Sequence, residues 1–268
     1  MIDRTGVSRA IKRSYGAALC PQWLEQCAKH IETELGQIVR EGRGVELHLE
    51  VQIRLVLEQL LDSEVGESCY PGLVVDADSK RVRELPGGAG AFLQIQEVMD
   101  IGVSKHGMWE AVREKEDFEQ CGIRPSYLPA RDEGESDGVF TAGGTQHSIG
   151  EPVASECEAY GEREAKIPRS VLKVELTDGK TRISGVELTR IPQLRVELPI
   201  GTKVVVSGGR FLEATGMLIF SGGCIRVLGG TPLHYKQHTL RARLESLLRI
   251  GSHLGTDGSV NAHTSRDG

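Results

Sequence analysis

The chain has 268 residues with a formal net charge of −6, and 39% of them are hydrophobic but only 4% aromatic. This length and composition allow one or two domains with an adequate core. No stretch approaches the ~20 consecutive apolar residues that span a bilayer, and the first residues lack the apolar segment of a signal peptide. We therefore expect a soluble, intracellular protein.

The charge is unevenly distributed along the chain. Residues 108–167 carry 14 acidic and 6 basic side chains, a net charge of −8, whereas residues 169–268 carry 14 basic and 8 acidic ones, a net charge of +6. An acidic middle segment is therefore followed by a basic C-terminal one. The cysteines are scattered without a Cys-x-x-Cys pair, which favours free thiols in a reducing compartment over metal binding or disulfides. They are Cys20, Cys27, Cys69, Cys121, Cys157 and Cys224.

Helical periodicity dominates the N-terminal region. Apolar residues within 3–19 recur at helical spacing and predict a first helix. Pro21 suits the first position of a second helix. The apolar stripe of this helix runs from Trp23 to Leu35 in four-residue steps and ends at Gly36.

Residues 45–63 are ambiguous by pattern alone. Apolar residues alternate with polar ones from Val45 to Leu57, which is the period of a strand. The spacing returns to that of a helix at Leu60 and Leu61, and leucine and glutamate are good helix formers. We therefore predict a third helix over 45–63.

Glycine and proline then mark the approach to a strand. Residues 86–90 form a flexible lead into a strand that we predict to begin at Ala91. From Met108 to Pro168 the chain is charged and rich in Gly, Glu and Ser, with only short apolar spots. Such a composition does not offset the entropy of ordering the chain. We predict that 108–168 is a disordered insertion.

Residues 170–230 combine short β-branched runs with glycine and proline. Alternating apolar and polar residues over 172–176 predict a half-buried strand. Asp178-Gly179 favours a tight two-residue turn into a second strand over 183–188. Further short runs occupy 203–207, 217–220 and 224–228. Short antiparallel strands with Gly or Pro corners are typical of a small closed barrel, and five strands would form an OB-fold.

The C-terminal part of the chain has one more helical pattern. Residues 232–250 place four leucines on one side of a predicted helix, namely Leu240, Leu244, Leu247 and Leu248. The tail from Gly251 is polar, and we predict that it is disordered.

Several short motifs occur in a fixed order over two blocks of the chain. The N-terminal block contains Pro21-Gln22-Trp23-Leu24, Leu57-Glu58-Gln59-Leu60-Leu61 and Ala91-Phe92-Leu93-Gln94-Ile95. The C-terminal block contains Leu172-Lys173-Val174-Glu175-Leu176-Thr177-Asp178-Gly179, Leu198-Pro199-Ile200-Gly201-Thr202-Lys203 and Val227-Leu228-Gly229-Gly230. In this order the motifs resemble the RecQ-mediated genome instability protein 1 family. The chain departs from the family pattern at Ile200, where a second proline is usual, and at Thr231, where an acidic residue is usual.

The resemblance implies an α+β fold. We expect an N-terminal three-helix bundle packed on a five-stranded OB-fold β-barrel, with the long disordered insertion between the first two strands. The bundle would comprise 1–86 and the OB-fold 87–232, interrupted by the inserted loop at 108–168. A C-terminal helix over 233–250 and a disordered tail over 251–268 would follow.

The resemblance also implies a nuclear, non-catalytic scaffold in homologous recombination. Its expected partners are a type IA topoisomerase of the topoisomerase III class and, through it, a Bloom-type RecQ helicase. The complex would dissolve double Holliday junctions, and the scaffold would stimulate decatenation. Because the motifs end near Gly230, we expect neither the second OB domain of longer family members nor a tudor domain. An alternative resemblance is to the tudor-domain relatives that pair with the beta form of topoisomerase III.

Lys203 is the first candidate for partner binding. It matches a family lysine linked to that role, and we expect it to be exposed while its neighbours over 204–206 fill the barrel. On this interpretation Lys203→Ala would leave the fold intact and weaken topoisomerase binding. The alternative is an ordinary surface lysine.

A short apolar segment of the insertion is the second candidate for partner binding. Phe118, Ile123, Tyr127 and Leu128 crowd together near prolines that stiffen the chain. Apolar segments of this kind become ordered on a partner. We predict that this segment docks at the topoisomerase gate, the alternative being a solvated linker.

Nucleic-acid binding is a weaker signal, and catalysis is not indicated. Arg182, Arg190, Arg195 and Arg210 are candidates for salt-sensitive backbone contacts. Residues 171–188 contain no Phe, Tyr or Trp on which a base could stack, which argues against a stand-alone single-stranded DNA-binding module. No hydrolase, metalloprotease or phosphate-binding motif occurs, and we predict no enzymatic activity, no metal and no cofactor.

Overall fold

The computed structural model describes residues 2–39, 48–76, 81–82, 84–121 and 167–249. The chain divides into two compact units, one formed by 1–109 with 168–268 and the other by 110–167. The helices are α1 (Arg4–Tyr15), α2 (Pro21–Val39), α3 (Leu49–Asp62), α4 (Val65–Ser68), α5 (Lys105–Cys121) and α6 (Leu240–Leu248), with a 3₁₀ turn at Leu233–Tyr235. No helix within these ranges has both the length and the apolar character required to cross a membrane.

One mixed sheet organises the larger unit. Its strands are β1 (Ala91–Asp100), β2 (Leu172–Thr177), β3 (Arg182–Glu187), β4 (Lys203–Val206), β5 (Arg210–Phe211), β6 (Leu218–Phe220) and β7 (Ile225–Gly229). The strand order is β5-β6-β3-β2-β1-β4-β7. Only β3 and β6 pair in parallel, and the other neighbours are antiparallel. The long strand β1 lies between β2 and β4 and is the strand to which both halves of the sheet attach.

The sheet has seven strands in the described residues, where the sequence predicted five. Only residues 207–209 separate β4 from β5, and only 221–224 separate β6 from β7. The Ser207 amide donates to the Cys224 carbonyl (2.8 Å) across this interruption, so the four strands belong to one bent hairpin. Gly209 has a φ of 125°, a conformation that side chains rarely adopt. Glycines therefore split what would be two long strands, and the two-residue β5 was too short for its pattern to be detected.

Helices α1, α2 and α3 pack on one another through one apolar face each. The shared core includes Val7, Ile11, Leu24, Ala28, Ile31, Val56 and Leu60. Phe92 of β1 and Val205 of β4 belong to the same cluster. Burying a large aliphatic or aromatic side chain contributes about 1.5–3 kcal/mol relative to leaving it exposed. The cluster that holds the helices together therefore also holds them against the sheet.

Helix α3 confirms the prediction of a helix within 45–63. Its buried residues are Gln52, Val56 and Leu60, at steps of four. A strand would instead have placed Val51 on the same face as Ile53, but Val51 is 43% exposed. The apolar alternation was misleading because α3 buries only one side and leaves several of its apolar residues at the surface.

The turn between β2 and β3 is longer than the predicted two residues. Thr177 pairs with Arg182, which leaves four residues in the turn. The buried Asp178 carboxylate organises it by accepting from the amides of Lys180 (3.0 Å) and Thr181 (2.7 Å). Aspartate favours turns of this kind, because its side chain accepts hydrogen bonds from main-chain amides two or three residues further on.

A single carboxylate fixes the point at which the chain leaves β1 and returns to β2. Asp100, the last residue of β1, is buried. One of its oxygens accepts from the amides of Gly102 (2.9 Å) and Val103 (3.1 Å), and the other accepts from the Ser170 amide. We call this arrangement the stem, because it ties the outgoing chain to the returning chain.

A buried ion pair lies beside the stem. Arg169 Nη2 is 2.6 Å from Glu187 Oε2, and these side chains are only 9% and 2% exposed. Glu187 also accepts from the amides of Leu172 (3.0 Å) and Ile191 (3.1 Å). A buried ion pair is tolerated when further hydrogen bonds satisfy it, as they do for this carboxylate.

Helix α5 contradicts the predicted disorder at the beginning of 108–168, because it continues to Cys121. The high charge of this segment predicts disorder, but Glu, Lys, Arg and Ala are also good helix formers. Arg113 and Asp117 form an ion pair across one helical turn (3.8 Å), which adds local support. The rest of the predicted insertion, 122–166, lies outside the described residues.

The C-terminal helix is shorter than predicted. After the 3₁₀ turn, α6 begins only at Leu240, because the Thr239 side chain caps it by accepting from the Ala242 amide (3.2 Å). Leu244 is buried, but Leu247 is 45% exposed, so the predicted leucine face is only partly covered. The predicted disordered tail, 251–268, lies outside the described residues.

We expect Asp100→Asn to lower the free energy of unfolding by about 1–3 kcal/mol, because part-buried amides lose hydrogen bonds to a charged acceptor. The NH₂ group that replaces one oxygen donates and cannot accept, so one side of the stem loses its partner. Urea unfolding followed by circular dichroism measures this change. The exposed Glu213→Gln is the matched control and should shift the value by less than about 0.5 kcal/mol. Equal unfolding midpoints for all three proteins would show that the stem does not depend on this carboxylate.

Candidate partner-binding surface

Lys203 is buried, which contradicts the prediction that it is exposed. It is the first residue of β4, and its relative exposure is 0%. Its ammonium group donates to the carbonyls of Leu61 (2.9 Å) and Gly201 (2.8 Å). The Leu61 carbonyl is among the last four of α3, which have no donor within the helix. Lys203 therefore caps the C-terminus of α3 from the sheet, and it cannot offer its charge to a partner at the surface.

The surroundings of Lys203 combine burial with negative charge. Burial lowers the pKa of Lys203 to about 8, while the negative charges of Glu64 and Asp62 limit the decrease. The negative end of the α3 dipole also favours a cation at this position. The cost of burying the amine is therefore partly offset by carboxylates and carbonyls at the end of α3.

Gln94 is a buried polar neighbour of Lys203 that the sequence analysis did not single out. It faces Lys203 across β1 and β4 and is fully buried. Its Oε1 accepts from the Val65 amide (3.1 Å), and its Nε2 donates to Glu64 Oε2 (2.8 Å). The signal was present in the sequence, because a glutamine within an apolar central strand must find buried partners. We call the set Lys203, Gln94, Glu64 and the Leu61 carbonyl the helix–sheet junction.

The 3₁₀ turn Leu233–Tyr235 lies over this junction and presents side chains to solvent. Leu233 is 77% exposed, while its neighbour His234 places Nε2 2.8 Å from Glu64 Oε1. Tyr235 packs so closely that a Cβ atom added at Gly201 would lie 2.7 Å from its ring. The accessible group beside the junction is therefore an apolar leucine, and not the lysine.

The other predicted site residues are spread over several elements. Arg182 begins β3 and Arg210 begins β5, whereas Arg190 and Arg195 lie in the connection between β3 and β4. All four are exposed, so they are accessible to a charged partner. Their role in nucleic-acid binding remains a prediction.

The predicted gate-docking segment is only partly described. Phe118 lies in α5 and is half-buried. Ile123, Tyr127 and Leu128 fall outside the described residues, so the structure does not test whether these four side chains cluster. The pattern that suggested the segment also failed to indicate the helix that contains Phe118.

Four of the cysteines are free thiols. They are Cys20, Cys27, Cys69 and Cys224. Burial raises the pKa of Cys27 and of Cys69 to about 11, which keeps both protonated at neutral pH. In the part of the chain that the structure describes, no group of three or more His, Cys, Asp or Glu is placed to hold a metal ion.

Comparison with known proteins gives one family match. The model described as "RMI1, N-terminal OB-fold domain" matches residues 74–243, more than half of the chain. The chain belongs to this family. The match confirms the resemblance found in the motifs and the OB-fold that they implied. It includes β1 to β7, the stem and Lys203.

Two proteins that are similar to this chain extend the comparison. RecQ-mediated genome instability protein 1 of Mus musculus is 26% identical over 213 residues, which cover 78% of this chain and 27% of the mouse protein. The protein of the same name from Gallus gallus is 26% identical over 229 residues, which cover 83% of this chain and 30% of the chicken protein. The chain thus spans less than a third of the length of these relatives.

We now expect Lys203→Met to destabilise the fold, in contrast to the expectation from sequence that Lys203→Ala would leave it intact. Methionine fills a similar volume but leaves two buried carbonyls without a donor, at a cost of about 1–3 kcal/mol. Chemical denaturation measures the change, and the exposed Lys236→Met is the control. A variant as stable as the control would show that the junction does not require the amine.

The pH dependence of stability, compared between the unmodified protein and Lys203→Met, provides a second measurement. The pKa of Lys203 is about 8 in the folded protein against an ordinary 10.5, so the unfolded chain binds more protons between these values. The free energy of unfolding of the unmodified protein should therefore rise relative to Lys203→Met between these pH values, with a slope of up to about 1.4 kcal/mol per pH unit. The neutral amine still donates its hydrogen bonds, so deprotonation removes only the cost of a buried charge. A difference that stays constant with pH would contradict the lowered pKa.

Proposed function

We propose that this protein is a non-catalytic scaffold in a complex between a RecQ helicase and a topoisomerase III. Its partners are a type IA topoisomerase of the topoisomerase III class and, through it, a Bloom-type RecQ helicase. In the nucleus the complex dissolves double Holliday junctions, and this chain stimulates decatenation by stabilising the open topoisomerase gate. The family match over 74–243 carries the proposal, supported by a relative's name that refers to RecQ and to genome instability.

A role in binding rather than catalysis is supported by how the fold uses its buried polar groups. Lys203 donates to main-chain carbonyls, Asp100 accepts from main-chain amides, and Arg169 pairs with Glu187. Each of these groups is engaged in holding the structure together. The sequence also lacks the nucleophile, base and phosphate-binding motifs that recognised enzyme classes carry.

We place one topoisomerase contact on the turn above the helix–sheet junction. Leu233 projects into solvent there, on a segment that contacts the junction through His234 Nε2, 2.8 Å from Glu64 Oε1. An exposed apolar side chain on a fixed support suits an interface anchor, because little conformational entropy is lost when it binds. A substitution of Lys203 would disturb this surface indirectly, by releasing the end of α3 beneath it.

The segment between β1 and β2 supplies a second contact in this proposal. It leaves and rejoins the sheet at the stem, where Asp100 and the Arg169–Glu187 pair hold its ends. We propose that the apolar residues predicted from sequence, Phe118, Ile123, Tyr127 and Leu128, dock at the topoisomerase gate. The four exposed arginines favour weak DNA contact as a second candidate function, with Arg182, Arg190, Arg195 and Arg210 as its residues.

We expect Leu233→Asp to weaken topoisomerase III binding about tenfold or more, because a charge replaces an apolar anchor at the proposed interface. Leu188→Asp is the matched control, since Leu188 is 73% exposed but lies after β3. Isothermal titration calorimetry with the purified topoisomerase measures both affinities. The placement of the contact would be wrong if Leu188→Asp alone weakened binding, and a failure of the unmodified chain to bind would overturn the proposed function.

Replacing 122–166 with a short Gly/Ser linker should leave most binding intact and reduce stimulation of decatenation. The replacement spares α5 and the stem, and changing the length of an insertion costs the fold little. Decatenation of a double Holliday junction substrate by topoisomerase and helicase measures the effect, and the melting temperature reports the fold. Full stimulation by the linker variant would show that the replaced segment is not required.

A further inference from the structure

The two edge strands of the sheet, β7 and β5, differ in how far other parts of the chain cover them. At one end, strand β7 is covered by other parts of the chain. Arg226 of β7 donates to the Ser14 carbonyl (3.0 Å) and lies over the Tyr15 ring (5.3 Å to its centroid). The Val227 amide donates to the Gln193 side chain (3.3 Å). Covering an edge in this way prevents it from pairing with another chain.

At the other end, strand β5 borders an open groove. Within the described residues, β5 pairs with β6 and with no other strand. The groove beside it has a volume of about 920 Å³. One wall is formed by residues 81–82 and 84–87, and the other by residues 207–213 with Gly216. This volume lies within the range of about 300–1,000 Å³ that is usual for ligand sites.

The main chain of β5 directs hydrogen-bonding groups toward this groove. The Leu212 amide donates to the Met217 carbonyl (2.8 Å), so these two residues form a hydrogen-bonded pair. Such pairs alternate with non-hydrogen-bonded ones along an antiparallel ladder. Phe211, opposite Leu218, is therefore a non-hydrogen-bonded position, and its N–H and C=O point away from β6. A strand added in the groove would meet one donor and one acceptor there.

The side chains at this edge favour a particular partner sequence. Arg210 is exposed, whereas Phe211 is half-buried, and Phe211 and the buried Val82 both line the groove. Among the described residues that line the groove are two arginines and two glutamates, but Arg81 is already bound to the carbonyls of the Glu213–Ala214 turn. Cross-strand neighbours prefer opposite charge and matched apolar character. An acidic side chain is thus favoured opposite Arg210, and an apolar one opposite Phe211.

We propose that the β5 edge binds an extended segment of a partner protein by β-strand addition. The segment alternates acidic and apolar residues, because consecutive side chains of a strand point to opposite faces. Main-chain hydrogen bonds at Phe211 hold the segment, and Arg210 sets its register. This site is separate from the topoisomerase contacts proposed above and does not rest on them.

Fluorescence polarisation with the full chain tests the proposal. The probes are short labelled peptides that alternate glutamate with valine, the same residues in block order, and lysine alternating with valine. We expect the glutamate–valine alternation to bind at least about threefold more tightly than the block peptide, because it offers neighbouring glutamate and valine side chains to Arg210 and Phe211 in several registers, whereas the block order offers them only at its single junction. Methylation of its amide nitrogens should abolish binding.

Two matched pairs of variants locate the site. A side chain at Gly87 meets nothing within 4 Å and requires no unusual φ, so Gly87→Phe fills the groove without strain. Gly72→Phe has the same freedom outside the groove and is its control. Arg210→Glu should lose the glutamate peptide and gain the lysine peptide, whereas Arg9→Glu, at an exposed position of α1, should change neither. Melting temperatures of all four variants check that each is folded.

Several outcomes would overturn the proposal. Equal peptide binding by Gly87→Phe and Gly72→Phe would show that the peptide binds outside the groove. If Arg210→Glu still bound the glutamate peptide and did not bind the lysine peptide, Arg210 would not contact the partner strand. A deoxythymidine oligonucleotide that binds in an Arg210-dependent manner, without peptide binding, would make the groove a nucleic-acid site. Self-association that Gly87→Phe abolishes, seen by sedimentation, would assign the edge to a second copy of the chain.

Discussion

The structure depends on how the C-terminal end of α3 is joined to the sheet. The last carbonyls of a helix need donors, and here the donor is the ammonium group of Lys203, supplied from the first position of β4. The approach is close, since a Cβ atom added at Gly230 would collide with the Leu61 carbonyl. Gln94 and Glu64 complete the junction between helix and strand. The helical region and the sheet are therefore joined by specific polar contacts as well as by the shared apolar core.

This junction changes the interpretation of a lysine that family resemblance linked to partner binding. A buried amine that caps a helix influences a surface by fixing the elements around it, and not through direct contact. The exposed groups nearby are those of the turn that carries Leu233 and His234. An effect of Lys203 on partner binding would then reflect the position of this turn and the end of α3.

The same division between a fixed interior and accessible periphery recurs elsewhere in the fold. Asp100 and the Arg169–Glu187 pair fix the ends of a segment that carries acidic charge and apolar residues. The long central strand β1 supports both the stem at one end and the helix–sheet junction near its middle. At the sheet ends, β7 is covered by α1 while β5 faces a groove. Candidate interaction sites thus lie on segments that buried polar groups hold in place.

Local patterns in the sequence were enough to predict α1, α2, α3 and part of α6, most of the strands and the family, but not α4 or α5. The periodicities of α2, β2 and β3 and the order of short motifs depend on residues close together in the chain, so no tertiary information was needed. The helix at 45–63 was also accessible, through the helix preference of its leucines and glutamates. The burial of Lys203 could not be predicted from local patterns, because its acceptor, the Leu61 carbonyl, is 142 positions away in the sequence. The open edge at β5 and the stem at Asp100 likewise arise from contacts between distant segments, and these were decided only when the chain folded.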